Sequence, residues 1–326
     1  MLKLIQKIQK ARRIFLSTHK NADGDGLGSE IALYHALKSH SKEVFIIQYE
    51  LLSPRYHFLT QNITLLASPH ELMSLHPTTD DLVLIFDTHD PKLCQPLFDQ
   101  LQTLQIPLFF IDHHVPFQIE SQWIQYEINE KVSCTGEIVF DLIKKMNTNI
   151  TAEIATALYT SLIFDTQNFK LIRNSARPFE IASELIKAQA NHELVQQHLF
   201  NNWSVQKMKF LSNLIDRINY KNDNKIAIIQ MSQRDLSLHQ LKNDDVSDLI
   251  DFFMMIQKIE LAIVMREESL NHYKMSFRGR TQEVLSWAHA FGGGGHRFSS
   301  GAWVYDTEKN ILQKLNQLCL ENFTTI

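Results

Sequence analysis

Residues 107–114 read PLFFIDHH, an apolar run that stops on an acid and two histidines. Residues 82–90 repeat the pattern as LVLIFDTHD, and residues 13–26 carry RIFLSTH into a glycine-rich turn, KNADGDG. Runs that are apolar at every position belong to strands buried on both faces, and amphipathic stretches between them, such as GLGSEIALYHALKSH at 26–40, supply the covering helices. The first half is therefore expected to be an α/β fold with a mostly parallel sheet, and such sheets bind ligands at the carboxyl ends of their strands. Three runs end in polar clusters, His19 to Asp25, Asp87 to Asp90 and Asp112 to His114, which this topology would gather on one sheet edge.

Downstream, residues 134–147 (CTGEIVFDLIKKMN) and 151–169 (TAEIATALYTSLIFDTQNF) open a helical region that runs to about residue 219. The pattern then changes. KIAIIQM (225–231), IELAIVMRE (259–267), HYKMSFRGR (272–280) and GAWVY (301–305) read as strands of a smaller, mixed α/β domain. The expected boundaries are 1–190 for the first domain, 191–220 for a helical linker and 221–326 for the second domain, with an active-site cleft between the two domains.

The 326 residues are 44% hydrophobic and 21% charged, the balance of an ordinary globular chain with material for two cores. A net charge of −4 gives no general attraction to a polyanion, so a nucleic-acid substrate should be short or held at a local basic site rather than as a long duplex. Cys94, Cys134 and Cys319 are far apart and odd in number, which suits reduced thiols. The start, MLKLIQKIQKARR, lacks the apolar core of a signal peptide, and no stretch approaches the roughly 20 apolar residues of a membrane span. A cytoplasmic protein with no membrane partner is expected.

The polar clusters carry the chemistry. Asp23 and Asp25 sit in a turn that begins like an EF-hand at Asn21, but its twelfth position is Ala32 where a bidentate Glu is required. Gly24, Gly26 and Gly28 do not make the G-x-G-x-x-G spacing of a dinucleotide loop. A solvated turn is the bland alternative for each cluster taken alone. Together they offer imidazoles and carboxylates without a cysteine, a donor set for hard divalent ions such as Mn²⁺ or Mg²⁺. Asp165, inside the apolar helical run SLIFDTQNF (161–169), makes better sense as a further ligand than as a helix–helix hydrogen bond. FGGGGH (291–296), with Arg278 and Arg280 upstream, would let backbone N–H groups and a guanidinium approach a phosphate; the spacing and the missing Lys-Ser/Thr exclude a P-loop.

With these motifs in order, the chain resembles the DHH phosphoesterase superfamily, named for the trio found here at Asp112, His113 and His114. THKNADGDGLGS, IFDTHD, IDHH and SLIFDTQNF match its four amino-terminal motifs, and SFRGR with FGGGGHRFSSG resembles the associated carboxyl-terminal substrate domain. Length and domain pairing are most similar to the branch of nanoRNases and 3′,5′-adenosine bisphosphate (pAp) phosphatases. The resemblance implies two divalent cations, Mn²⁺ first and Mg²⁺ as the alternative: His19, Asp23 and Asp87 hold one, Asp25, Asp87, His113 and Asp165 the other. It implies that His114 faces the substrate phosphate, that Asp112 orients its histidine neighbour, and that Arg278, Arg280, Gly293, Gly294, Gly295 and His296 grip the far phosphate or terminal nucleotide. Catalytic roles fall to Asp87, His114 and Asp112, and the expected partners are short RNA or DNA oligonucleotides or a nucleotide, with a homodimer left open. Ala22, Gly26, Gln167 and the Ser299–Ser300 pair depart from the family's frequent residues and bear on substrate preference. The rival readings are a cyclic or linear dinucleotide phosphodiesterase, a pyrophosphatase, which the GGGH element disfavours, and a non-catalytic nucleotide sensor, which the intact ligand set disfavours.

Overall fold

The computed structural model describes all residues except 49, 62, 64, 67–68, 115–120, 173–174, 296 and 324–326. The chain divides into two compact units, Met1–Asn202 and Trp203–Ile326.

In the first unit α1 (Leu2–Lys10) leads into β1 (Arg13–Thr18), followed by α2 (Gly24–Ser39), β2 (Glu43–Ile47), β3 (Leu65–Leu66) and α3 (Pro69–Ser74). Then come β4 (Leu82–Phe86), α4 (Leu97–Leu104), β5 (Leu108–Asp112), β6 (Ile124–Ile128) and the helices α5 (Thr135–Lys145), α6 (Ala152–Asp165), α7 (Arg177–Lys187) and α8 (His192–Leu199). The strands form one parallel sheet in the order β3-β2-β1-β4-β5-β6. Every residue of β1, β4 and β5 is buried, because alternate side chains enter two different apolar layers. Ile14, Leu16, Leu84, Phe86, Phe109 and Ile111 pack with α1, α2, α5 and α6 on one face. Phe15, Val83, Ile85, Leu108 and Phe110 pack with Leu97 and Leu101 of α4 on the other. The order reverses between β1 and β4, and a crevice at such a reversal opens at the carboxyl ends of the strands.

Helices α2 and α6 touch backbone to backbone. A Cβ built on Gly28 would lie 2.5 Å from the carbonyl oxygen of Ala157 and 2.8 Å from the amide nitrogen of Ser161, so only glycine permits this approach.

The second unit begins with α9 (Val205–Ile215), β7 (Asn219–Lys221), β8 (Ile226–Met231), α10 (Gln233–Leu238) and α11 (Leu249–Phe253). It continues through β9 (Leu261–Ser269), β10 (His272–Gly279), α12 (Leu285–Ala290), β11 (Gly294–Gly295), β12 (Ser299–Tyr305) and α13 (Glu308–Phe323). Its sheet runs β11-β12-β10-β9-β8-β7 and is antiparallel apart from the β8–β9 pair. The stretch expected as a linker at 191–220 is shared out instead. Val195 and Leu199 of α8 enter the core of the first unit, while Phe210, Leu211 and Leu214 of α9 enter a core of the second, because each helix carries its own apolar stripe.

At the amino-terminal ends of β1 and β4, away from the crevice, a buried ion pair fixes how the two central strands sit together. Arg13 donates from Nε to Asp81 Oδ1 at 3.0 Å and from Nη2 to Oδ2 at 2.7 Å, and its remaining reach goes to the carbonyls of Leu75 and His76. Burial alone would raise the Asp81 carboxyl, but the guanidinium and the Thr78 N–H hold it below the usual carboxylate range. Asp81→Asn leaves a buried guanidinium unpaired and should cost about 3 kcal/mol in urea unfolding at pH 7. A depressed folded pKa contributes stability that is present above the unfolded value of about 4 and is lost as pH falls through the folded one. The gap between wild type and variant should therefore close on acidification below about pH 4.

Candidate metal centre

The crevice is lined by the ends of β1, β4 and β5 and by the facing ends of α2 and α6. His19 follows β1. Its Nδ1 lies 2.6 Å from the carbonyl of Lys20, a bond that keeps the proton on Nδ1 and turns the Nε2 lone pair inward, as in metal-ligating histidines. Asp23 caps α2, accepting from the amides of Asp25 and Gly26, and the helix N-terminus suits both acids. Asp87 follows β4 with φ of 61°, a left-handed backbone that costs free energy and sets the direction of its carboxylate. Asp165 is the last residue of α6, the end of a helix that disfavours a negative charge.

These groups converge. His19 Nε2 is 3.8 Å from Asp23 Oδ2 and 3.5 Å from Asp87 Oδ2. His113 Nε2 is 3.2 Å from Asp165 Oδ2, 3.6 Å from Asp25 Oδ2 and 3.6 Å from Asp87 Oδ1. Among the described residues three groups have donor atoms within 4.8 Å of one another: His19 with Asp23 and Asp87; Asp25 with His113 and Asp165; and Asp87 with Asp112, His113 and His114. Each expected ligand is thus in the cluster.

The electrostatics ask for a cation. Burial and the nearby Asp165 charge raise the Asp25 carboxyl to about 6, against the pull of His113. Burial and the Asp25 charge push Asp87 well above the carboxylate range. Burial opposes a charge on His113, yet Asp165, Asp25 and Asp87 together raise its ring to about 10. Among the described residues neither buried ring nitrogen of His113 makes an aligned hydrogen bond, the 3.2 Å approach of Asp165 to Nε2 included, which is costly unless something coordinates the ring. The residues present fit a divalent ion, which would displace the imidazole protons: imidazole and carboxylate donors, no thiolate, and a buried ring at the centre without an aligned hydrogen bond.

A supporting layer was only partly expected. Asp112, foreseen as an orienting acid, is wholly buried and accepts from the main chain of His113 at 2.7 Å and of His114 at 3.2 Å, from His114 Nδ1 at 2.6 Å, and from His89 Nδ1. Against its burial, these imidazoles hold its carboxyl far below the usual range. His89, not foreseen, stands two residues after Asp87 in the quoted IFDTHD motif, and that spacing was the available signal. Thr135 and Ser161 were also not foreseen. Thr135 Oγ1 donates to Asp87 Oδ1 at 3.1 Å, the amides of Thr135 and Gly136 donate to Asp25 at 2.8 and 3.2 Å, and the Ser161 hydroxyl donates to Asp25 Oδ1. Small hydroxyl residues carry no pattern that marks such a role.

The turn after Asp165 has left-handed backbone at Gln167, Asn168 and Phe169, with φ of 48°, 58° and 65°. Glycine would be least strained at position 167, so Gln167 occupies it at a backbone cost.

In the second unit, Gly294 and Gly295 form the short strand β11 against β12. A Cβ on Gly293 would lie 2.0 Å from the Gly301 carbonyl, so that glycine is required by packing, while the space beside Gly294 is open. Arg278 donates from Nε to Asp251 at 3.2 Å. Arg280 donates from Nε to the Ile259 carbonyl and from Nη2 to those of Met254 and Ile256, so much of its fork is spent on the main chain. His296 lies outside the described residues.

Residues 13–162 match the DHH family, N-terminal domain. The chain is 25% identical over 314 residues to the bifunctional oligoribonuclease and PAP phosphatase NrnA of Mycoplasma pneumoniae, covering 95% of this chain and 92% of that protein. It is 24% identical over 320 residues to the probable bifunctional oligoribonuclease and PAP phosphatase NrnA of Streptococcus mutans, covering 97% of each. The fold matches the crystal structure of an exopolyphosphatase-related protein from Bacteroides fragilis with a TM-score of 0.89, at 22% identity over 98% of this chain and 95% of that one. Among the described residues no helix is long and apolar enough to cross a membrane.

Ser161→Ala removes one donor to Asp25 and should weaken Mn²⁺ binding by about 10-fold in calorimetric titration, within the 10–100-fold range typical of outer-sphere partners. His89→Ala frees Asp112 from one of its two imidazoles and should lower turnover by a similar factor, with circular dichroism unchanged.

Proposed function

We propose that this chain, whose residues 13–162 match the DHH family, N-terminal domain, is a hydrolase of phosphate esters that uses two divalent cations, Mn²⁺ or Mg²⁺. Its substrates are short oligonucleotides, cleaved to mononucleotides, and 3′,5′-adenosine bisphosphate, cleaved to AMP. The observation that carries this reading is the carboxylate of Asp87, whose Oδ2 faces His19 and whose Oδ1 faces His113 at 3.5 and 3.6 Å. One acid turned to two imidazoles from its two oxygens is disposed as a bridging ligand. His19 and Asp23 would share one ion with it, and Asp25, His113 and Asp165 the other.

Bound in this way, such a pair supplies a water acidified toward neutrality and a clamp for the attacking and leaving oxygens of an in-line displacement. The protein's own part is positional. Thr135 holds Asp87, Ser161 and two main-chain amides hold Asp25, and Asp112 fixes the ring of His114, whose side chain is one-third exposed and would meet the substrate phosphate. Arg278 and the glycine-rich turn would take a terminal nucleotide. The net charge of −4 agrees with a short substrate, since no broad positive field is available for a long duplex. The activities named for the NrnA relatives, which align along almost the whole chain, support the choice of substrate class.

Purified protein in Mn²⁺ should release mononucleotides from RNA of two to five residues and AMP from adenosine bisphosphate. Asp87→Asn should lose more than about 100-fold, beyond the cost of losing an outer-sphere partner, and EDTA should abolish turnover reversibly. Preferential cleavage of cyclic di-AMP or pyrophosphate, or nucleotide binding with no turnover of any of these, would sink the reading.

A further inference from the structure

Strand β10 has two unlike sides. Tyr273, Met275 and Phe277 are buried and pack with Trp287 and Ala302 in one core of the second unit. On the other side His272, Lys274, Ser276 and Arg278 stand in register with Tyr305, Trp303, Gly301 and Ser299 of β12. Helices cover the neighbouring part of this side, where Ala262 and Val264 of β9 pack with Phe210, Leu249 and Phe253, and reach as far as Arg278 through Asp251 of α11. On β12 the side chains stay open, Trp303 51% exposed and Tyr305 79%, while His272 and Lys274 of β10 are half-buried beside them.

The open part is an ordered row. The imidazole of His272 stacks on Tyr305 with centroids 4.1 Å apart and planes at 5°, and lies 5.3 Å from the Trp303 ring. The Lys274 ammonium sits over the Trp303 ring at 5.4 Å. Arg266, opposite Lys274 in register, is neutralised by Glu268 and bonded to the Asn243 carbonyl, and Arg278 is bonded to Asp251. No carboxylate is bonded to Lys274 among the described residues. Burial and the nearby Arg266 depress its ammonium, a disadvantage that an arriving anion would offset. Glu268 and Asp244 offset its charge from a distance without bonding to it. Aromatic faces beside a cation that no carboxylate holds are the composition that binds single-stranded nucleic acid: bases stack, and the cation takes the backbone.

We propose that the His272–Tyr305 pair and Trp303 form a stacking platform for the bases of a single-stranded oligonucleotide, with Lys274, opposite Trp303, holding a phosphate beside it. The proposal rests on the reading of short oligonucleotides as substrate. It extends that reading to a residue-level basis for chain-length preference: a mononucleotide has too few bases and phosphates to span the row, and a longer strand does not.

The test is binding of the full chain, in EDTA so that nothing is cleaved, to dye-labelled di- and penta-adenylate followed by fluorescence anisotropy. Trp303→Leu should weaken penta-adenylate binding roughly 5- to 150-fold, the range for one lost base stack, and should weaken the dinucleotide less. Tyr305→Ser, at a more exposed position, should act in the same direction and guards against a folding defect in the first variant. Lys274→Met should reduce the slope of log Kd against log salt by about 0.7, one phosphate contact on a single strand. Equal losses at both lengths, an unchanged salt slope, or a wild type that binds no oligonucleotide would overturn the platform. Length-dependent losses in EDTA together with no oligonucleotide turnover in Mn²⁺ would leave the platform standing and overturn the proposed activity instead.

Discussion

Mutual repulsion among Asp23, Asp25, Asp87 and Asp165 is the constraint around which the first unit is arranged. Brought together in a crevice, such acids would drive one another apart or take up protons. Their approach is tolerated because three of them are held from behind and Asp165 keeps part of its side chain in solvent. The N-terminus of α2 and the amides of Thr135 and Gly136 serve Asp23 and Asp25, Thr135 Oγ1 serves Asp87, and His19 and His113 stand between the carboxylates. Asp165, at the unfavourable end of α6, and Asp87, on left-handed backbone, are the places where local cost is accepted for a shared target. Protons can balance the charge only in part; a divalent ion balances it directly.

The sheet exists to deliver these groups. Uniformly apolar strands such as residues 82–86 are stable only when covered on both faces, which forces the parallel arrangement and aligns every strand's carboxyl end on one edge. The Arg13–Asp81 pair locks the opposite ends of the two central strands, so that β1 and β4 cannot slide and His19 keeps its place opposite Asp87.

Much of this was legible in the sequence, for a physical reason. An acid or histidine directly after an apolar run is conspicuous, and the strand's own composition announces where its end will lie; Asp87, Asp112, His113 and His114 were visible on that ground. Asp165 could be singled out because an acid is unexpected in so apolar a helix. His89 was hidden by its neighbours, since in IFDTHD two acids already draw the eye, and its partner Asp112 comes 23 residues later. Thr135 and Ser161 were invisible because serine and threonine are unremarkable anywhere. The division of residues 191–220 between two cores was missed for a different reason: helical periodicity shows that a face is apolar but not which core will receive it. Arg280 shows the same limit, for the sequence cannot distinguish a guanidinium offered to a ligand from one bound to three main-chain carbonyls.

The glycine contact between α2 and α6 bears on which ions the crevice suits. Asp25 and Asp165 are carried by helices whose backbones already touch at Gly28, Ala157 and Ser161, with no side chain between them to compress or rotate. Widening the distance between those two acids would mean separating main chain from main chain, against a core packed at solid density. An ion held by both acids would have to accept the spacing this frame sets, and ions differ in the oxygen distances they demand. Any such discrimination would originate in a missing Cβ one turn along α2 from Asp25, beside the Ser161 that bonds its carboxylate.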